Sequence, residues 1–174
     1  MPIDSNSLYD QIMRDFEVIG WQETVQFPDW GGAKMRAKVD TGARSSAIHA
    51  EDFEIVRRPS TPERPLNEVM IMTLKVGPRA KPKFIQAEAP VVDYRSVKNS
   101  GGKIEERPFI QTQIELNGVQ HPIVLSVTNR DKMKFPILLG RAFLAGKYLV
   151  DSSARNLLKK KAKVDQPEED FEEE

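Results

Sequence analysis

From Glu17 onward the chain is assembled from short segments in which Val, Ile and Thr recur, with turn residues between one segment and the next. Alternation of apolar and polar positions, as in Met35, Ala37 and Val39, places successive side chains on opposite faces of an extended strand. The pattern predicts strands over residues 18–27, 35–39, 69–76, 84–92, 103–116 and 119–127. Residues 1–16 differ. Leu8, Ile12 and Phe16 recur at i, i+4 and i+8, the spacing of one helix face, with Asp4 or Ser5 placed to cap it. That helix is expected to pack rather than to act. The clear helix signal after residue 17 is short, residues 140–146 (GRAFLAG), with glycine at both ends. The expected fold class is therefore mainly β with one short helix near the end.

The turn residues sharpen the picture. Asn117-Gly118 accepts positive φ at both central positions of a type I′ turn, so residues 110–116 should pair with 119–127 as a hairpin. Ser100-Gly101-Gly102 separates two further strand patterns, 91–97 and 103–111, and predicts a second hairpin with a flexible tip. Residues 57–68 (RRPSTPERPLNE) hold three prolines and read as a surface loop. The expected organisation is an N-terminal extension over 1–16, one domain over 17–158 and a charged, disordered tail over 159–174.

Composition narrows the chemistry. The chain has 174 residues and no cysteine, which fits one domain with a short tail and excludes disulfides, thiol nucleophiles, Fe–S ligation and Cys-type zinc sites. Nothing calls for an oxidising compartment, so a cytoplasmic location is expected. Apolar runs are only a few residues long, and neither a membrane span nor a secretory signal is expected. The 26 basic and 26 acidic residues balance, but residues 165–174 (DQPEEDFEEE) carry seven acids and no base. Residues 1–164 thus hold 26 bases against 19 acids, a net +7, which favours anionic partners for the body.

The strongest local signal for chemistry is Asp40-Thr41-Gly42, delivered by the strand that ends at Val39. A carboxylate at the mouth of a tight turn is what acid hydrolysis needs. The glycine lets backbone amides approach the carboxylate, and the threonine hydroxyl can lock the turn. Two such carboxylates about 3 Å apart share one proton and act together as base and acid on a water molecule. A second segment, residues 135–141 (FPILLGR), is an apolar strand ending in Gly140-Arg141 and followed by the short helix. Other chemistries lack their parts. His49 and His121 stand alone without a metal-ligand motif, and no phosphate-cradling glycine loop is present, so neither metal nor nucleotide cofactor is expected.

In order along the chain, Asp-Thr-Gly, a glycine-tipped hairpin and an apolar strand ending in Gly-Arg resemble the retropepsin-like acid proteases. More closely, the chain resembles the bacterial retropepsin-like family long catalogued under the name ATP-dependent zinc proteases. The likeness spans roughly Ile19 to Leu157 and rests on several stretches. These are residues 20–23 (GWQE), 37–50 (AKVDTGARSSAIHA), 95–98 (RSVK) with Gly101 and Gly102, Glu106-Arg107, Thr128-Asn129-Arg130 with Met133, 136–141 (PILLGR) and Val150-Asp151. The resemblance implies a retropepsin-like β-barrel with Asp40 as catalytic aspartate and Thr41 and Gly42 as its scaffold. One Asp-Thr-Gly per chain would make the active species a homodimer, and the glycine-tipped hairpin its flap. The zinc and ATP of the older family name find no matching residues.

One departure from the retroviral pattern points to a substrate. Where those enzymes carry an acid two places after the glycine, paired with the arginine of Gly-Arg, this chain carries Arg44, so Arg44 and Arg141 cannot form that pair. Two guanidiniums beside one cleft suit an acidic ligand. Arg95, Lys98 and Arg107 flank the hairpin tip and would add positive charge there, unless internal acids such as Asp93, Glu105 or Asp151 pair with the arginines. Asp151, which lacks a following Thr-Gly, is expected to be such an arginine partner. The reading is an aspartic endopeptidase acting on a glutamate-rich peptide, functionally linked, by the resemblance, to an ATP-grasp glutamate ligase. The acidic tail would mimic that substrate. The alternative is a noncatalytic acidic-peptide binding module on the same fold. Nucleic acid is not an expected partner, since no zinc finger or recognition helix accompanies the positive charge.

Overall fold

The computed structural model describes residues 5–98, 101–129 and 134–164. In chain order its elements are α1 (Ser5–Asp15), β1 (Glu17–Gly20), β2 (Gln22–Phe27), β3 (Ala33–Val39), β4 (Ser46–His49), β5 (Asp52–Arg57), β6 (Glu68–Val76), β7 (Lys83–Lys98), β8 (Ile104–Leu116), β9 (Val119–Thr128), β10 (Ile137–Leu139), α2 (Arg141–Leu144), β11 (Tyr148–Asp151) and α3 (Leu157–Val164). A single 3₁₀ turn, Pro28–Trp30, joins β2 to β3.

Six strands close a barrel in the order β2-β3-β10-β4-β9-β8, sealed where Gln26 of β2 pairs with Glu115 of β8. The mainly β, retropepsin-like expectation holds. Alternation drives the closure: Met35, Ala37 and Val39 of β3 face the core while Lys34 and Lys38 face solvent. Phe27, Ile48, Ile114, Leu125 and Ile137 meet inside, all but excluded from solvent. The decisive topological feature is β10. Although β3 and β4 follow one another in sequence, β10 lies between them, parallel to β3 and antiparallel to β4. The loop from Val39 to Ser46 must therefore arch over the end of β10, and this sets the candidate active site.

The predicted hairpins form. Leu116 pairs with Val119 across Asn117 (φ 50°) and Gly118 (φ 79°), as a type I′ turn requires. The β7–β8 hairpin pairs Lys98 with Ile104 at its tip. Its first strand is longer than the pattern suggested. β7 runs for 16 residues because it serves two neighbours, Lys83 to Pro90 pairing with β6 and Val91 to Lys98 with β8. A register shift between Val91 and Asp93, the work of a β-bulge, turns the strand from one partner to the other.

Three sequence expectations change. The strand over 18–27 breaks at Trp21, since Gly20 passes so close to the C-terminal segment that a Cβ would lie 2.4 Å from the Ala154 carbonyl oxygen. β1 leaves the barrel to pair in parallel with β11, and β2 enters it. α1 forms as predicted, but Leu8, Tyr9 and Ile12 remain exposed, so its apolar stripe is not packed onto the barrel. Regular structure also continues past the boundary drawn at 158. α3 occupies residues 157–164, because a fully buried carboxylate, Glu23, accepts hydrogen bonds from the amides of Leu157 (3.1 Å) and Leu158 (2.9 Å) and supplies the missing N-cap. The acidic run 165–174 lies outside the described residues, as do Ser100, Arg130 and Met133.

Candidate active site

Asp40 follows directly on β3, and its backbone is anchored before its side chain is considered. The Asp40 amide donates to the Leu139 carbonyl (2.9 Å), extending the β3–β10 pairing by one bond. The chain then turns sharply, with the Ala43 amide donating back to the Asp40 carbonyl (3.3 Å). Inside the turn the Gly42 amide donates to Asp40 Oδ1 (2.9 Å), fixing one carboxylate oxygen. A Cβ on residue 42 would stand 3.1 Å from that oxygen, so glycine here permits the amide to approach the carboxylate. Asp40 is half-buried, while Thr41 and Gly42 are exposed.

The segment after β10 holds this loop from beneath. Gly140 passes so tightly under it that a Cβ would meet the Ser45 carbonyl oxygen at 2.6 Å and that of Ala43 at 3.0 Å. Its amide donates to the buried Ser46 hydroxyl oxygen (3.0 Å). The next two amides continue the clamp, Arg141 to the Ala43 carbonyl (2.8 Å) and Ala142 to that of Arg44 (3.0 Å). Arg141 adds its side chain, with Nη1 donating to the carbonyls of Thr41 (3.2 Å) and Gly42 (2.9 Å). A guanidinium thus takes up the turn's outward carbonyls where a carboxylate partner is absent. The Arg44 side chain is exposed and makes no hydrogen bond or ion pair among the described residues.

The other cations named from the sequence sit on the β7–β8 hairpin. Arg95 and Arg107 are direct cross-strand neighbours, an arrangement that costs free energy unless each is neutralised. Each finds an acid two residues back on its own strand face: Arg95 Nε donates to Asp93 (2.7 Å) and Arg107 Nη2 to Glu105 (3.3 Å). The bond from Arg95 holds the Asp93 carboxyl below its usual range. Arg107 is buried, whereas Arg95 lies over the Phe109 ring at 4.3 Å from its centroid. Lys98 is exposed beside Gly102, whose φ of 81° suits the tip, and Gly101 is exposed as well. A cavity of about 260 Å³ brings Arg95 and Phe109 together with Ser45, Ser46 and Ala142, linking the hairpin to the segment after Arg44.

Asp151 does not become an arginine partner. Its exposed carboxylate accepts from the Ser153 amide (2.9 Å) and hydroxyl (2.6 Å), closing a local turn that lowers its pKa. The histidines remain apart. His121 packs edge-on against Phe143 and Tyr148, where burial lowers its pKa and pushes the Tyr148 phenol up to about 12. His49 Nε2 lies 3.4 Å from Glu51. Among the described residues no three His, Asp or Glu side chains converge on a point that could hold a metal ion. Sequence reasoning missed Ser46, whose bonded partner is 94 positions away, and Phe109, the platform for Arg95.

A closed barrel with an Asp-Thr-Gly loop clamped over a Leu-Gly-Arg strand end defines a retropepsin-like protein. Residues 18–161 match the family described as RimB-like, retropepsin-like aspartic endopeptidase RimB, and the chain belongs to that family. Curated relatives include proteins named "Probable alpha-L-glutamate ligase": that of Shewanella halifaxensis is 35% identical over 138 residues, and that of Desulfotalea psychrophila 33% over 135. Each match covers 78% of this chain but 28% of the relative, so the chain spans little more than a quarter of their length. Among solved structures, the Legionella pneumophila protein Lpg0085, of unknown function, superposes with a TM-score of 0.64 at 23% identity, covering 81% of this chain and 97% of that one, a likeness of fold.

Proposed function

We propose that the protein is an aspartic endopeptidase in which Asp40 residues from two copies form one shared-proton pair, acting on glutamate-rich peptides. The observation that carries this reading is the anchored carboxylate. One Asp40 oxygen is fixed by the Gly42 amide, in a loop whose backbone is held by Leu139, Arg141 and Ala142. In the proposed reaction the ionised aspartate removes a proton from water as its oxygen attacks the peptide carbonyl carbon. The protonated partner gives its proton to the carbonyl oxygen. Collapse of the tetrahedral intermediate then breaks the C–N bond, and the departing nitrogen takes up a proton from the pair. Arg44, exposed and without a described partner, supplies the charge to bind substrate carboxylates, and the β7–β8 hairpin serves as the flap. The relatives' name, probable alpha-L-glutamate ligase, supports an acidic substrate and a functional link to a glutamate ligase, of the ATP-grasp kind by the resemblance noted from the sequence.

Hydrolysis of a glutamate-rich peptide across pH tests this. A bell-shaped rate profile is expected, with Asp40→Asn lowering the rate about 10³-fold or more at all pH values. Full activity in that variant removes the reading. A second reading draws on the relatives' architecture: a region like this chain makes up about 28% of proteins named as ligases, and such a region could hold an acidic chain without cutting it. Under that reading Asp40→Asn binds the peptide as well as the unaltered protein does, and neither hydrolyses it.

A further inference from the structure

A second concave site, unused in the proposed hydrolysis, lies where the turn between β6 and β7 folds against the start of β3 and the approach to β10. It encloses a cavity of about 390 Å³. Five cations line it: Lys34 and Arg36 from β3, Lys75 from the end of β6, Arg79 from the turn and Lys134 from the segment before β10. The one carboxylate in the lining, Glu51, is shared with His49 at 3.4 Å. None of the five cations forms an ion pair with a carboxylate among the described residues. Arg36 donates to the Lys134 carbonyl (3.4 Å) and lies over the Phe135 ring (5.3 Å), contacts that orient the guanidinium and leave its charge uncompensated.

Five positive charges around one small concavity repel one another, and the repulsion is relieved when an anion enters. The rim is preformed. Pro78, Pro82 and Pro136 restrict its backbone, and Gly77 turns with φ 84°. The site is also separate from the Asp40 loop: Lys34 and Arg36 precede Asp40 by six and four positions on an extended strand, separations of about 20 and 13 Å.

We propose that this groove binds an acidic peptide segment, a short run of Asp or Glu side chains, at a site distinct from the Asp40 cleft. Arginine and lysine together suit carboxylates presented by an extended chain. The lining holds no Phe, Tyr or Trp, and its one aromatic ring, His49, is engaged with Glu51, which favours peptide over single-stranded nucleic acid. The occupant is an acidic stretch of another protein, matched to the groove by charge, and residues 165–174 of this chain, with seven carboxylates in ten positions, are the rival that the test separates.

Amide chemical shifts of the full-length chain, titrated with a ten-residue glutamate peptide at low ionic strength, test the site independently of hydrolysis. Asp40→Asn is used throughout so that the peptide survives. Saturable shifts at residues 34–36 and 75–81 are expected, and Lys75→Gln combined with Arg79→Gln should weaken that response about tenfold, two exposed ion pairs being removed. Shifts confined to residues 40–44, an unchanged response in the double variant, equal binding of a glutamine peptide, or displacement by an oligonucleotide at matching concentration each overturn the proposal. Changing Glu168, Glu169, Glu172, Glu173 and Glu174 to Gln identifies the source. If groove amides then move without added peptide and added peptide binds more tightly, the chain's own tail fills the groove and the proposed occupant is wrong. If they do not, the tail is excluded, and the peptide titration decides whether the groove takes a partner's acidic stretch.

Discussion

Gly140 has no room for a side chain, and its position decides whether the loop that carries Asp40 can close. A methyl group there would press into backbone atoms of Ser45 at 2.6 and 2.7 Å, and backbone cannot swing aside as a side-chain end can. Gly140→Ala is expected to destabilise the fold by about 1–3 kcal/mol, the usual cost of overpacking. It should also displace the Asp40 loop, which urea denaturation combined with peptide hydrolysis will detect. A variant of normal stability and activity would show that the loop yields cheaply. At this scale the sequence was most informative, because Asp40-Thr41-Gly42 and Gly140-Arg141 announce themselves through adjacent residues. Ser46 did not, since a serine accepting an amide from 94 positions away looks like any loop serine. The role of Arg141 was half legible: the missing acid partner could be read from Arg44, but not the carbonyls of Thr41 and Gly42 that take its place.

Among the elements, α3 shows what pattern reading overlooks. Its run of lysines resembles a solvated charge cluster, and the cap that starts it, Glu23, lies 134 and 135 positions upstream. The same distance effect hid the break at Trp21, which is imposed by the backbone of Ala154. Glu23 also carries a pH signature. Burial raises its pKa above the ordinary 4.5, with the amides of Leu158, Leu157 and Gly20 only partly opposing the shift. A carboxyl whose folded-state pKa is raised binds its proton more tightly in the folded chain than in the unfolded one. Its contribution to stability therefore falls as pH rises from about 4.5 through the raised value, and stays reduced above it. Glu23→Gln cannot titrate, so the stability of the unaltered protein minus that of Glu23→Gln should decrease over that interval. Urea midpoints of both proteins from pH 4 to 8 check this, and a difference that is flat or grows with pH contradicts it.

For the whole molecule, the proposed pairing of Asp40 with its copy makes activity depend on association. Specific activity should fall on dilution, with the rate tending to the square of protein concentration where monomers dominate. Sedimentation and initial rates over the same concentrations check this, and a rate strictly proportional to concentration in a monomeric sample would separate catalysis from dimerisation. The barrel itself was legible as a set of strands and two hairpins, whereas its strand order was not, because nothing local to residues 137–139 says that they will lie between β3 and β4. That insertion has a consequence for biosynthesis. A ribosome releases Asp40 long before Leu139, Gly140 and Arg141, and at 5–20 residues per second the interval is roughly 5–20 s. Throughout it the newborn polypeptide carries its acid on a loop without a floor, so the hydrolysis proposed for Asp40 has to wait until residues 139–141 have emerged and folded beneath it.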